Sequence, residues 1–186
     1  MRSRYRILEP HAPHFITATI VEWLPVFTSP SCSDLLVRSL EHCRATKGLK
    51  IHGWVIMENH FHAVLSGPGL AETVTSFKKF TAREILAQLK AEGREWLLHQ
   101  LAHYRAAHKM GTHEHQVWQE GSHPQAILTD ETMRQKLDYL HHNPVKRGWV
   151  ASPEHWRYSS AHEWLAGSVP VLRSDPWAQA EDTECR

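Results

Sequence analysis

Residues 54–67 read WVIMENHFHAVLSG, and the fold turns on how this stretch is parsed. Its opening alternates apolar and small residues as a strand does, Glu58-Asn59 has the character of a tight turn, and His60-Phe61-His62-Ala63-Val64-Leu65 resumes as a second strand. The two strands are expected side by side. Successive strand side chains point to opposite faces, so His60 and His62 project together while Phe61, Ala63 and Leu65 face the other way. Two imidazoles on one rigid patch can hold a divalent metal and leave positions open for a third protein ligand and a substrate oxygen.

With 16 histidines in the chain, a His-x-His pair also arises by chance, and a second stands at His113-Glu114-His115. That pair sits in KMGTHEHQ, a polar stretch with Gly111 that reads as a loop. Strand residues hold ligand geometry better than loop residues, which assigns the ligand role to the first pair.

The 186 residues suit one domain, 1–186, with a core that needs no staple and a flexible tail from about residue 168. Three cysteines, Cys32, Cys43 and Cys185, follow neither a disulfide framework nor a CxxC metal spacing, which suggests a reducing compartment. No apolar run has the length of a signal peptide or a bilayer span, so a cytoplasmic protein without membrane partners is expected. A net charge of +1 excludes a whole-molecule electrostatic case for nucleic acid and leaves only local patches.

Along the chain, His14 to Ile20 reads as the first strand and Ser31-Cys32-Ser33-Asp34 offers caps for a helix ending at Gly48. Leu70 to Gly93 predicts an amphipathic helix with Lys79, Arg83 and Lys90 opposite its apolar stripe, a cationic face able to touch phosphate. A further helix over Arg94 to Lys109 puts Tyr104 on the core stripe, and Val117-Trp118 and Ala126-Ile127-Leu128 are the remaining strand-like fragments. The next helix opens at Thr129 or Asp130, carries Met133, Leu137 and Leu140 inward, and is expected to end at Asn143-Pro144. Tyr139 stands off that apolar stripe with Asn143 one turn on, a geometry that would allow a phenol and an amide oxygen to meet a metal at the histidine pair.

The segments ENHFH, LDYLHHNPVKRGWV and SPEHWRYSSA, in this order and spacing, resemble the single-tyrosine HUH transposases, especially the REP-associated tyrosine transposases and related insertion-sequence transposases. The likeness extends over most of the chain. It implies an α+β fold, an antiparallel β-sheet flanked by α-helices in the ferredoxin-like HUH arrangement. It also implies His60 and His62 as metal ligands for Mg²⁺ or Mn²⁺, Tyr139 as nucleophile and Asn143 as third ligand. The implied reaction is cleavage and strand transfer of single-stranded DNA beside hairpins through a 5′-phosphotyrosine, by a monomer or a homodimer. Lys136, one turn before Tyr139, is an electrostatic helper in this reading. Arg2, Arg4, Arg6, Lys79, Arg83, Lys146 and Arg147 are the phosphate contacts to test, with Trp118, Trp149, Trp156 and Tyr158 for base stacking. Two other classes stay open: a hairpin-DNA binding module without catalysis, and a His-x-His metal hydrolase in which Tyr139 is structural.

Overall fold

The strand pair expected from residues 54–67 forms and starts earlier, as β2 (Lys50–Ile56) and β3 (His60–Ser66) joined by the Glu58-Asn59 turn, where Met57 N donates to His60 O at 2.8 Å. In this computed structural model the described residues are 7, 9, 11–105, 114–121 and 124–177. Arg2, Arg4, Arg6, His113 and Cys185 therefore lie outside them. β1 (His14–Thr19) pairs antiparallel with β3, and the short β4 (Gln125–Ala126) pairs with β1, so the sheet order is β2-β3-β1-β4. Val117-Trp118 contributes only a bridge from Trp118 to Ile20.

Alternation splits the sheet into two faces with different jobs. Ile16, Ala18, Phe61, Ala63 and Leu65 face a large apolar core covered by α1 (Pro30–Lys47) and α2 (Leu70–Ala91). α1 starts at Ser29, whose hydroxyl accepts from Cys32 N, rather than at the serines that follow, because Pro30 fits the first helical position. Phe15, Val55 and Val64 point to the other face, where α4 (Asp130–Lys146) packs Met133, Leu137 and Leu140 on them. A β-bulge at His52 shifts the phase of β2 so that both Ile51 and Trp54 face the large core while Gly53 faces α4. Gly53 allows the close approach of α4: a Cβ would stand 2.3 Å from Leu137 Cδ2, which would have to shift.

α4 runs through Pro144 to Lys146, not stopping at Asn143 as the sequence rule for proline predicts. Pro144 leaves Leu140 O without its N–H donor, and only Val145 and Lys146 follow it in the helix. The helix closes instead at Gly148 in the left-handed region, with Gly148 N donating to Val145 O. α3 (Glu95–His103) is shorter than expected, and Tyr104 caps it with 42% of its surface exposed, so the core placement of Tyr104 does not hold.

The free edge of β2 is covered by the chain after α4. Ile56 N donates to Tyr158 O and Ser160 N to Trp54 O, which gives SPEHWRYSSA a structural task. α5 (Ala161–Ala166) follows. Within the tail expected to be flexible from about 168, Leu172 is buried, Trp54 Nε1 donates to Leu172 O, and Asp175 accepts from Ile51 N and pairs with Arg44.

Candidate active site

Register builds the histidine site. His62 stands directly opposite Thr17 of β1, and the two side chains meet on the α4 face with Thr17 Oγ1 2.7 Å from His62 Nδ1. His60 is two residues away on the same face, its Nδ1 2.6 Å from Asn59 Oδ1. The Asn59 amide is oriented by its own donation from Nδ2 to Trp23 O, so Oδ1 accepts and the His60 proton resides on Nδ1. That leaves the Nε2 lone pair free. Among the described residues neither Nε2 atom has a hydrogen-bond partner, and the ring centroids are 4.6 Å apart. Imidazoles braced through Nδ1 with Nε2 open are what a metal ligand pair requires.

Electrostatics agrees with that chemistry. Burial, reinforced by the Arg147 charge, pushes His60 down to about 4, and burial, with His60 and Lys136 nearby, pushes His62 down to about 3. Both are neutral at pH 7, the state a metal needs. No third His, Cys, Asp or Glu joins the pair among the described residues, so a third protein donor must be an amide or hydroxyl oxygen. Asn143 offers one: its Nδ2 donates to Tyr139 O at 3.0 Å, which leaves Oδ1 unengaged.

α4 presents Lys136, Tyr139, Asn143 and Lys146 at spacings of three, four and three, a single helical stripe. The Tyr139 ring meets His62 edge-on at 5.4 Å and Phe15 at 5.8 Å, and 42% of the residue remains exposed. Its hydroxyl has no partner among the described residues. Lys146 Nζ lies 5.4 Å from the Tyr139 ring centroid, Lys136 Nζ lies 4.9 Å from that of Phe15, and Arg147 is 4.0 Å from Glu58. Three cations thus border two neutral imidazoles and a free phenol, an environment suited to a phosphodiester.

Not every sequence candidate gathers here. Lys79 and Arg83 are exposed on α2, whose Phe77 packs on Phe61, and so they stand across the sheet from the histidines; Arg83 pairs with Glu84. Trp118 is buried with Nε1 on Thr81, and Trp156 donates to Ile56 O, so both are structural. Tyr158 donates to Asp34. Trp149 keeps an exposed ring, 5.0 Å from Trp156. His141, inside the LHHNP segment, is buried with Nε2 2.8 Å from Ser160 Oγ, which also accepts from Trp54 N. This network ties α4 to β2. Sequence reasoning missed both the Asn59 brace and Trp23, whose ring lies 5.6 Å from His60.

The sheet thus presents a braced histidine pair beside a helix-borne tyrosine. The chain resembles the REP-associated tyrosine transposases in sequence and in fold. It is 25% identical over 139 residues to the REP-associated tyrosine transposase of Escherichia coli K12, covering 74% of this chain and 70% of that one. A Haemophilus influenzae protein with a REP-associated tyrosine transposase designation is 27% identical over 114 residues, 61% of this chain and 60% of its own length. The solved structure of a REP-associated tyrosine transposase bound to a REP hairpin superposes with a TM-score of 0.64 at 19% identity, over 97% of this chain and 96% of that one. No family model matches the chain. Among the described residues, no helix is long and apolar enough to cross a membrane.

Proposed function

We propose that this protein is a metal-dependent endonuclease and strand transferase acting on single-stranded DNA beside hairpins, with Tyr139 as nucleophile. The observation that carries the reading is the adjacency of a phenol to two neutral imidazoles, with the phenol oxygen and both Nε2 atoms unpartnered among the described residues. The named relatives support the substrate class, since one of them is seen bound to a REP hairpin. His60 Nε2, His62 Nε2 and Asn143 Oδ1 would hold Mg²⁺ or Mn²⁺, which supplies Lewis-acid polarisation of the scissile phosphate when bound.

Tyr139 Oη forms a bond to phosphorus while the bond to the 3′ oxygen breaks, which leaves a 5′-phosphotyrosine and a free 3′-hydroxyl. The phenolic proton leaves Tyr139 and one proton is taken up by the departing oxygen, so the step is balanced without ATP or water. Lys136 and Lys146 flank Tyr139 on its stripe and stabilise negative charge as it develops there. Attack by the 3′-hydroxyl of another strand reverses the step and completes transfer.

Incubation with a hairpin-bearing single-stranded oligonucleotide labelled on each side of the hairpin in turn tests this. The expected result is a denaturant-resistant protein–DNA adduct that retains one label only, forms with Mg²⁺ or Mn²⁺, and is abolished by a chelator. An adduct retaining the 3′-phosphate side of the break, or cleavage without any adduct, contradicts the proposal.

A further inference from the structure

Trp23 lies outside every motif that carried the functional reading, yet its position calls for a reason. Glu22 and Trp23 stand at φ 49° and 55°, the only non-glycine residues with positive φ among those described. Residues with a Cβ occupy this region at a cost, and such strain persists where surroundings enforce it, most often at functional sites. Here they do: Val21 N donates to Val117 O, Trp23 N to Ile20 O, Leu24 N to Val21 O, and Trp23 O accepts from Asn59.

The turn buries Val21 and Leu24 on either side, yet the indole between them is 52% exposed, so packing of the ring itself does not account for its position. It stands edge-on to His60 at 5.6 Å, on a line of rings that runs Tyr139, His62, His60, Trp23. An exposed indole fixed by a rigid backbone at one end of a phosphate-binding row is a surface for a planar, apolar ligand. On a single DNA strand that ligand is an unpaired base.

We propose that Trp23 is a stacking platform for the unpaired nucleobase adjacent to the scissile phosphate, on the His60 side of the site, and so a positioning residue for the strand. This rests on the strand-transfer reading above. Stacking would hold the base while Arg147, 4.0 Å from Glu58 in the turn before His60, would meet the neighbouring phosphate. The contact tolerates any base, since every base offers a π-face.

The test uses the full chain with Tyr139→Phe, which blocks cleavage, and hairpin oligonucleotides carrying one abasic site at successive positions around the mapped break. Trp23→Gly removes the ring, keeps the carbonyl that orients Asn59 and relieves the φ strain, so folding is expected to be retained. Trp23→Phe keeps a smaller ring. With Trp23 present, one abasic position beside the break should weaken binding by roughly fivefold to a hundredfold. In Trp23→Gly the intact oligonucleotide should bind that much more weakly and the abasic site should have no further effect, while Trp23→Phe falls between.

An abasic penalty that persists undiminished in Trp23→Gly overturns the proposal, as does the absence of any sensitive position. If the wild-type chain forms no adduct and binds no hairpin DNA, the strand-transfer reading fails and this inference falls with it. Adduct formation with an unchanged abasic profile overturns the role of Trp23 alone.

Discussion

Gly53 sets how closely α4 approaches the sheet, and one added methyl should reveal it. A Cβ at this position would lie 2.3 Å from Leu137 Cδ2 and 3.6 Å from Leu140 Cδ2 and Ser160 Oγ. Carbon atoms rest about 3.5–4.0 Å apart, so Leu137 or the helix must yield by more than about 1 Å. Overpacking of this kind costs about 1–3 kcal/mol. Gly53 has no positive φ, so alanine fits its backbone and regains about 0.4–1 kcal/mol from the unfolded chain. Gly53→Ala should therefore destabilise the wild type by about 1–2 kcal/mol. Leu137→Ala alone should cost about 2–5 kcal/mol through its cavity. In that background the clashing atom is gone and the new methyl enters vacated space, so Gly53→Ala should become stabilising. Urea unfolding of the four proteins, followed by circular dichroism at pH 7.5, measures the coupling. Additivity within about 0.5 kcal/mol would refute the close-approach argument.

Acid should unfold the protein between pH 6.5 and about 4. His60, His62 and His141 are held low by burial, to about 4, 3 and 4, so the unfolded chain takes up protons first as pH falls. Their contribution is complete above pH 6.5 and is lost progressively below it, on the order of 3–5 kcal/mol each; urea midpoints that stay constant from pH 7.5 to 4.5 would exclude it. Asn59→Leu removes the brace on His60 Nδ1 and should weaken Mn²⁺ binding about 10–100-fold by calorimetry, whereas unchanged affinity would show that the brace is irrelevant to the site. Lys146→Gln and Arg147→Gln should each lower the salt dependence of hairpin binding by about one unit of slope, while Lys79→Gln and Arg83→Gln, across the sheet, should not. Equal effects from both sets would mean that DNA follows a different path.

The hairpin carrying His60 and His62 was legible because alternation and a two-residue turn are local signals. So were the faces of α4, since Met133, Leu137 and Leu140 mark the buried side and leave Tyr139 outside. What stayed hidden depends on distant partners. Pro144 reads as a stop, yet it is accommodated in a last turn whose end is set by Gly148. The residues around 172–177 lack periodicity, and they are joined to β2 by the Asp175 carboxylate on Ile51 N, by Asp175 N on Ile51 O and by the Trp54 indole on Leu172 O, bonds that no pattern announces. Trp23 was invisible for a similar reason. Its left-handed backbone is held by Asn59, which donates to Trp23 O, and by Val117, which accepts from Val21 N, both remote in sequence, and no residue preference advertises it.

The central claim is that Tyr139 itself becomes bonded to DNA. Proteolysis of the trapped adduct and mass spectrometry of the DNA-bearing peptide test it most directly, with Tyr139→Phe as the paired control because it removes one oxygen and keeps the ring packed on His62 and Phe15. The account predicts a 5′-phosphate on Tyr139, in the tryptic peptide Leu137–Lys146, and no adduct from the variant with either metal. DNA found on Tyr5, Tyr104 or Tyr158, or an adduct formed by Tyr139→Phe at the wild-type rate, would contradict it.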